Sequence, residues 1–252
     1  MKPASHGTES FEELRTPAAA IVIAILFTGV ALLENTLLPW APFYFAYAWL
    51  STVLPMGVGG FTFGEFRSIR RGTWIAVVLL PFTLQGLGAV WSNWLYPTLL
   101  TGFGVEAASI SSSAYDLGTA LQEMLVAAAQ KWSTGVDQIQ FYYFGGILVW
   151  AGLGEELFYR GYLYTSLRGK WGVTLAAVAS SGLFGIRHAT QLGLLGENYP
   201  WGAAFSWVVI SFLAGLALCW LYEKSKSLLP SILAHYLLNL IPAASMLLGP
   251  SS

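Results

Sequence analysis

Long apolar runs separated by short polar segments dominate this chain. A helix needs about 20 mostly apolar residues to cross the hydrocarbon core of a bilayer. Runs of that length indicate an all-α polytopic membrane protein with about seven transmembrane helices. The predicted spans are Pro17–Leu38, Pro39–Val58, Thr73–Trp94, Gln138–Leu163, Gly172–Thr190, Trp201–Tyr222 and Leu228–Leu248.

The segment from Asp116 to Trp132 has a different pattern, because polar residues interrupt its apolar positions at intervals. Ser113 and Asp116 stand at its start, and Ser and Asp are among the residues that cap helix N-termini. We predict an amphipathic helix that lies on the membrane surface. The alternative is an eighth, short span, which would disturb the alternation of loop charges described next.

Composition and loop charge agree with the predicted spans. The chain is 56% hydrophobic and 10% charged, whereas soluble domains contain about 25% charged residues. With seven helices, three basic loops fall on one side, which the positive-inside rule assigns to the cytoplasm. We therefore expect a cytoplasmic N-terminus and an external C-terminus, and no basic patch suggests a nucleic-acid partner. The loop residues are Arg67, Arg70, Arg71, Arg168, Lys170, Lys224 and Lys226.

Three of the predicted spans carry ionisable side chains away from their ends, whereas Glu34 lies near the outer end of the first span and is expected to be interfacial. Such groups cost at least about 2.5–3.5 kcal/mol each on insertion scales, so they mark functional sites by default. The single amides Gln85 and Asn93 of the third span are expected only to pack. The candidate residues are Glu155, Glu156 and Arg160 in the fourth span, Arg187 and His188 in the fifth, and His235 and Asn239 in the seventh.

Helical spacing sorts these residues by face. Glu156 and Arg160 are four positions apart, so they can form an ion pair on one face. Glu155 is rotated by about 100° from Glu156, which predicts one held carboxylate and one free carboxylate. His235 and Asn239 are also four apart and share a face.

The set suits hydrolysis of an amide bond. A carboxylate in a low-dielectric cavity can act as a general base near neutral pH, so Glu155 and His188 could activate a water molecule. His235 and Asn239 could stabilise a developing oxyanion. Alternatively, Glu155, His188 and His235 could form a three-ligand zinc site.

The chain resembles the CPBP family of intramembrane proteases, which includes CAAX prenyl endopeptidases and bacteriocin-processing enzymes. The motifs that carry the resemblance are "EELFYR" (155–160), "FGIRH" (184–188) and "HYLLN" (235–239), with "FLAG" (212–215) between the last two. The resemblance covers roughly Gln138–Leu248. It implies a catalytic helical core over residues 138–248. The preceding residues carry no family signature: we expect a polar tail over 1–16, and N-terminal helices with the surface helix over 17–137 that could recognise the substrate.

The resemblance implies a role for each motif residue. Glu155 and His188 would activate the hydrolytic water, and His235 and Asn239 would form the oxyanion site. A metal-free mechanism is favoured. Arg187 departs from the family pattern: it is a candidate contact for a substrate carboxylate, and the alternative is that its side chain only snorkels toward the membrane interface. Glu156, Arg160, Phe184 and Phe212 would support the site's geometry.

The predicted function is therefore an intramembrane endopeptidase in a prokaryotic inner or plasma membrane. Its partners would be the lipid bilayer and a membrane-anchored protein or peptide: a prenylated tail, a leader peptide, or a C-terminal sorting tail as in myxosortase-type enzymes. Two other classes stay open. They are a transporter or proton-conducting protein, and a non-catalytic scaffold or immunity protein.

Overall fold

The computed structural model describes residues 13–37, 51–58, 61, 63 and 69–248, and this part of the chain is helical, without strands. Most of the predicted second span, residues 39–50, lies outside the described residues. The helices follow the predicted apolar runs. They are α1 (Pro17–Leu37), α2 (51–58), α3 (Arg71–Gly102), α4 (Leu117–Lys131), α5 (Val136–Gly146, continued by Ile147–Tyr164), α6 (Thr165–Ala189), α7 (Trp201–Ser225) and α8 (Leu228–Leu248).

Helices α5 and α6 depart from regular α geometry. From Ile147 to Tyr164, over 18 residues, α5 has π-helical hydrogen bonding, in which each bond spans one more residue than in an α-helix. In α6, Gly172 has φ 76° and ψ 173°, which breaks the helix. The predicted fifth span therefore begins after Gly172, as its sequence bounds suggested.

Two of the described helices are long and apolar enough to cross a membrane by length and composition alone. They are α3, with a mean hydropathy of 1.7, and α7, with 2.1. Pro17–Val30 and Leu228–Pro242 are shorter apolar helical segments. Helices α5 and α6 contain the charged motif residues, which lower their hydropathy. The seven-span count and the orientation of the termini stay predictions.

Helix α4 confirms the amphipathic helix predicted after Asp116. The Asp116 carboxylate caps it by accepting hydrogen bonds from Thr119 N at 2.7 Å and Thr119 Oγ1 at 2.8 Å. Its apolar face is buried against protein, in one cluster with Leu192 and the start of α7. That face therefore covers one end of α6 and α7, while its place at the membrane surface stays a prediction. The buried α4 residues are Ala120, Met124, Leu125, Ala128 and Ala129.

Glycines bring α6 and α7 into close contact. A Cβ atom at Gly185 would lie 2.7 Å from the Val208 carbonyl oxygen, and one at Gly215 would lie 2.8 Å from Ser181 Cβ. Only a residue without a side chain fits either place without moving backbone. This contact matters for function because α6 carries His188.

Substituting two of the glycines of α6, Gly182 and Gly185, tests this contact. Gly185→Ala places a methyl group against backbone, so we expect it to lower the free energy of unfolding by about 1–3 kcal/mol. Gly182→Ala is the matched control, since a Cβ there meets nothing within 4 Å. It should be neutral or slightly stabilising, because alanine favours a helix over glycine. Thermal unfolding in detergent measures both, and equal stabilities would contradict the close approach.

Candidate active site

A buried carboxylate links α5 to α8. Glu156 Oε1 accepts a hydrogen bond from Arg160 Nη1 at 2.8 Å and lies 2.8 Å from His235 Nδ1. Glu156 and Arg160 have no exposed surface, and His235 is 4% exposed. The ion pair predicted from the i,i+4 spacing is therefore present, and its carboxylate also holds the histidine of the third motif.

Arg160 extends this link to two further helices. Its Nη2 atom donates to the Gly215 carbonyl on α7 at 3.2 Å. Its guanidinium carbon lies 4.4 Å from the centroid of the Phe184 ring on α6, within cation–π range. Glu156 and Arg160 thus fix the relative positions of α5, α6, α7 and α8.

Glu155 lies between two basic side chains. It is 2% exposed, with Oε1 3.7 Å from Arg187 Nη1 and Oε2 3.6 Å from His235 Nε2. The expectation that this carboxylate has no charged partner is therefore wrong. The two neighbouring glutamates each face one arginine, and the His235 ring lies between their carboxylates.

The partner of His235 determines where its protons are. A carboxylate oxygen faces Nδ1, so Nδ1 carries hydrogen and donates to Glu156. The Nε2 atom then holds a lone pair in the neutral ring and a second N–H in the imidazolium. His235 can donate a hydrogen bond into the site through Nε2 only in the protonated form.

His188 has the same arrangement of donor and acceptor in its neutral ring. Its Nδ1 lies 2.8 Å from the Phe184 carbonyl oxygen, which can only accept, so Nδ1 carries hydrogen. In the neutral ring Nε2 is left as a proton acceptor. The rings of Phe184 and Trp207 hold the imidazole edgewise, at centroid distances of 4.5 and 5.6 Å.

The four residues predicted to perform the chemistry line one cavity of about 450 Å³. They are Glu155, His188, His235 and Asn239, and Phe184 lines it with them. Much of the remaining wall is apolar and comes from α3, α4 and α7. The lining does not include Glu156, Arg160, Arg187 or Phe212.

Arg187 lies beside Glu155, a contact that the sequence did not predict. A contact with a substrate carboxylate requires Arg187 to reach the cavity, but it is 4% exposed, it does not line the cavity, and its Nη1 atom lies 3.7 Å from Glu155 Oε1. This geometry favours a role in holding Glu155. Gln85 of α3 also faces the cavity, although a single amide in an apolar span was expected only to pack.

The predicted zinc ligands do not form a recognisable metal site. Within the described residues, no group of three His, Cys, Asp or Glu side chains is arranged to hold a metal ion. The Nδ1 atoms of both histidines are hydrogen-bonded to protein oxygens. Metal-free hydrolysis stays a prediction, which a chelator tests directly.

Comparison with known proteins identifies a family for most of the second half of the chain. Residues 137–241 match the family model of the type II CAAX prenyl endopeptidase Rce1-like proteins. The chain carries a CPBP-family protease domain. No curated protein and no solved structure matches the chain.

The match confirms the resemblance inferred from the three motifs. It contains all of them and begins within one residue of the predicted Gln138. The family consists of membrane proteases, so the protein is a peptide hydrolase of the membrane. Helix α3 precedes the matched segment but lines the same cavity.

Paired isosteric substitutions test the unequal roles of the two glutamates. Glu156→Gln removes the charge from two 2.8 Å hydrogen bonds, each worth about 1.5–3 kcal/mol to a charged group. We expect a loss of about 3 kcal/mol in the free energy of unfolding. Glu155→Gln should lose clearly less, because its ionic contacts are longer, at 3.6 and 3.7 Å. Denaturation in detergent compares the two, and equal losses would contradict this ranking.

Proposed function

We propose that the protein is an endopeptidase that hydrolyses a peptide bond in or near the membrane-embedded or lipid-adjacent segment of a protein or peptide substrate. One observation carries the proposal: Glu155, His188, His235 and Asn239 come from three helices and line a single cavity. Together they supply a base, a second proton acceptor and two groups for an oxyanion, which are the parts that amide hydrolysis requires.

Glu155 and His188 activate the water in this mechanism. The carboxylate and the His188 Nε2 lone pair accept the two hydrogens of one water molecule. Its oxygen attacks the carbonyl carbon, a C–O bond forms, and the carbonyl π electrons move to oxygen. The proton released from water passes to Glu155. Arg187 holds the carboxylate in place from behind.

His235 and Asn239 stabilise the tetrahedral intermediate. The Asn239 amide donates one hydrogen bond to the oxyanion, and protonated His235 donates another through Nε2. Glu156 accepts the hydrogen bond from Nδ1 at 2.8 Å and so holds the ring in position. When the intermediate collapses, the C–N bond breaks and the amide nitrogen takes the proton from Glu155. The products are a carboxylic acid and an amine, and transfer of a proton between them gives the carboxylate and the ammonium ion.

The surroundings of the site support this chemistry. Donors and charges fixed in a cavity of low dielectric stabilise a developing charge more than they would in water, because they need no reorganisation. The two buried arginines balance the two glutamates, so the positive charge of protonated His235 is left to offset the developing oxyanion.

The cavity wall indicates how a substrate lies. A carbonyl inside a helix is hydrogen-bonded to its own helix, so the scissile segment must be extended when water attacks it. The apolar side chains of α3, α4 and α7 suit the side chains of such a segment. We propose a membrane-anchored substrate, with a prenylated tail, a leader peptide or a sorting tail as the competing classes.

Loss of either water-activating group should abolish cleavage. The experiment reconstitutes the protein in liposomes with each class of membrane-anchored substrate and follows the products by mass spectrometry. Wild type should cleave at one site, and Glu155→Gln and His188→Ala should give no product above background, because neither can complete the proton transfers. Cleavage that survives either change would contradict the mechanism. Cleavage abolished by a chelator would favour the zinc site, and proton flux without cleavage would favour a transporter.

A separate substitution tests the oxyanion site. Asn239→Ala removes one donor, so we expect kcat to fall about 10²–10³-fold with a much smaller change in KM. Asn93→Ala is the matched control: this asparagine is exposed and donates to the Ala89 carbonyl of its own helix at 2.9 Å. It should keep wild-type kcat. A rise in KM with unchanged kcat for Asn239→Ala would assign the residue to substrate binding instead.

A further inference from the structure

Helix α8 contains a backbone carbonyl that its own helix cannot satisfy. In an α-helix the carbonyl of residue 238 accepts from the N–H of residue 242, but residue 242 is a proline within α8. Proline has no N–H, and its ring crowds the carbonyl four residues earlier. The Leu238 carbonyl therefore needs a donor from elsewhere, and it lies between His235 and Pro242, directly before Asn239.

Gln85 of α3 supplies this donor. Its Nε2 atom lies 3.0 Å from the Leu238 carbonyl oxygen, across 153 positions of sequence. A carbonyl can only accept, so the amide NH₂ group of Gln85 must face it. A carbonyl left without a donor in apolar surroundings is costly, which favours keeping α3 and α8 together at this point.

We propose that Gln85 is a positioning residue for the oxyanion site. Its amide replaces the helical donor lost at Pro242 and so sets the position of the α8 turn that carries Asn239. The inference rests on the proposed function, in which Asn239 binds the oxyanion. It gives α3, which lies outside the segment matched by the family model, a defined part in the chemistry.

The proposal predicts which kinetic constant changes. Without the Gln85 hydrogen bond the kinked turn relaxes and the Asn239 amide shifts relative to the scissile carbonyl. Misplacement of a reacting group by about 1 Å can cost 10²-fold in rate, so a smaller shift should lower kcat about tenfold with KM nearly unchanged. Gln85 also lines the cavity, and a direct substrate contact would instead raise KM.

A double-mutant cycle with Pro242 tests the mechanism of positioning. Gln85→Met keeps the side-chain length and removes the donor. Pro242→Ala restores an N–H that can bond Leu238 within α8, so the Gln85 amide becomes dispensable. We expect Gln85→Met to lower kcat about tenfold in the wild-type background and less than about threefold beside Pro242→Ala. Unfolding in detergent should show the same non-additivity, as expected for residues that share one acceptor.

The control is Thr83→Val on the same helix, whose hydroxyl bonds the Leu79 carbonyl and is exposed. It should match wild type in kcat and stability. An equal fold-loss for Gln85→Met in both backgrounds, or a KM effect alone, would overturn the proposal. If Gln85→Met folds only beside Pro242→Ala, the coupling is supported, and if it folds in neither background the coupling is contradicted.

Failure of this inference is distinguishable from failure of the proposed function. Active Glu155→Gln protein would contradict the hydrolytic mechanism whatever Gln85 does. Inactive Glu155→Gln protein with normal Gln85→Met protein would contradict only the positioning role. The unfolding cycle needs no substrate, so it tests the Gln85–Leu238 contact independently of activity.

Discussion

One oxygen atom of Glu156 is the contact on which the rest of the site depends. It accepts from Arg160 on its own helix and from His235 on α8, both at 2.8 Å. Arg160 in turn bonds the Gly215 carbonyl on α7 and stacks on Phe184 of α6. Because burying unpaired charge is very costly, these helices are favoured in the arrangement that satisfies the carboxylate and the guanidinium together.

This arrangement separates support from chemistry. Glu156 and Arg160 lie behind the cavity wall, whereas Glu155 and His188 line the cavity. Adjacent glutamates can differ in this way because neighbouring helical positions point in different directions. The wall of the cavity also extends beyond the family domain, because residues of α3 and α4, which lie outside residues 137–241, line part of it. That supports a role for the N-terminal helices in recognising the substrate.

The helices and one ion pair of the site could be predicted from the sequence, whereas the contacts between helices could not. Apolar runs predicted where the helices lie, and the i,i+4 spacing predicted the Glu156–Arg160 pair, because both depend on the geometry of one helix. Contacts between helices depend on tilt and translation, which no periodicity records. A count of about 1.5 Å per residue from Lys170 puts His188 about 27 Å along its helix, too far to meet Glu155 if helices are upright. The Gly172 break and the π-helical stretch of α5 depart from the straight, regular helices that this count assumes, and His188 and Glu155 both line the same cavity. The Arg187–Glu155 and Gln85–Leu238 contacts could not be predicted from the sequence, because each joins two different helices. Pro242 was nevertheless a local signal that the Leu238 carbonyl needs a donor.

The central claim is that four side chains from three helices form one hydrolytic centre. A structure of the Glu155→Gln protein with an uncleaved membrane-anchored substrate tests it most directly, because the isosteric change keeps the cavity shape and removes the base. The account predicts that the scissile carbonyl oxygen lies within hydrogen-bond distance of Asn239, with the carbonyl carbon facing Gln at position 155 and His188. A scissile bond bound outside this cavity, or with its oxygen turned away from Asn239 and His235, would contradict the account.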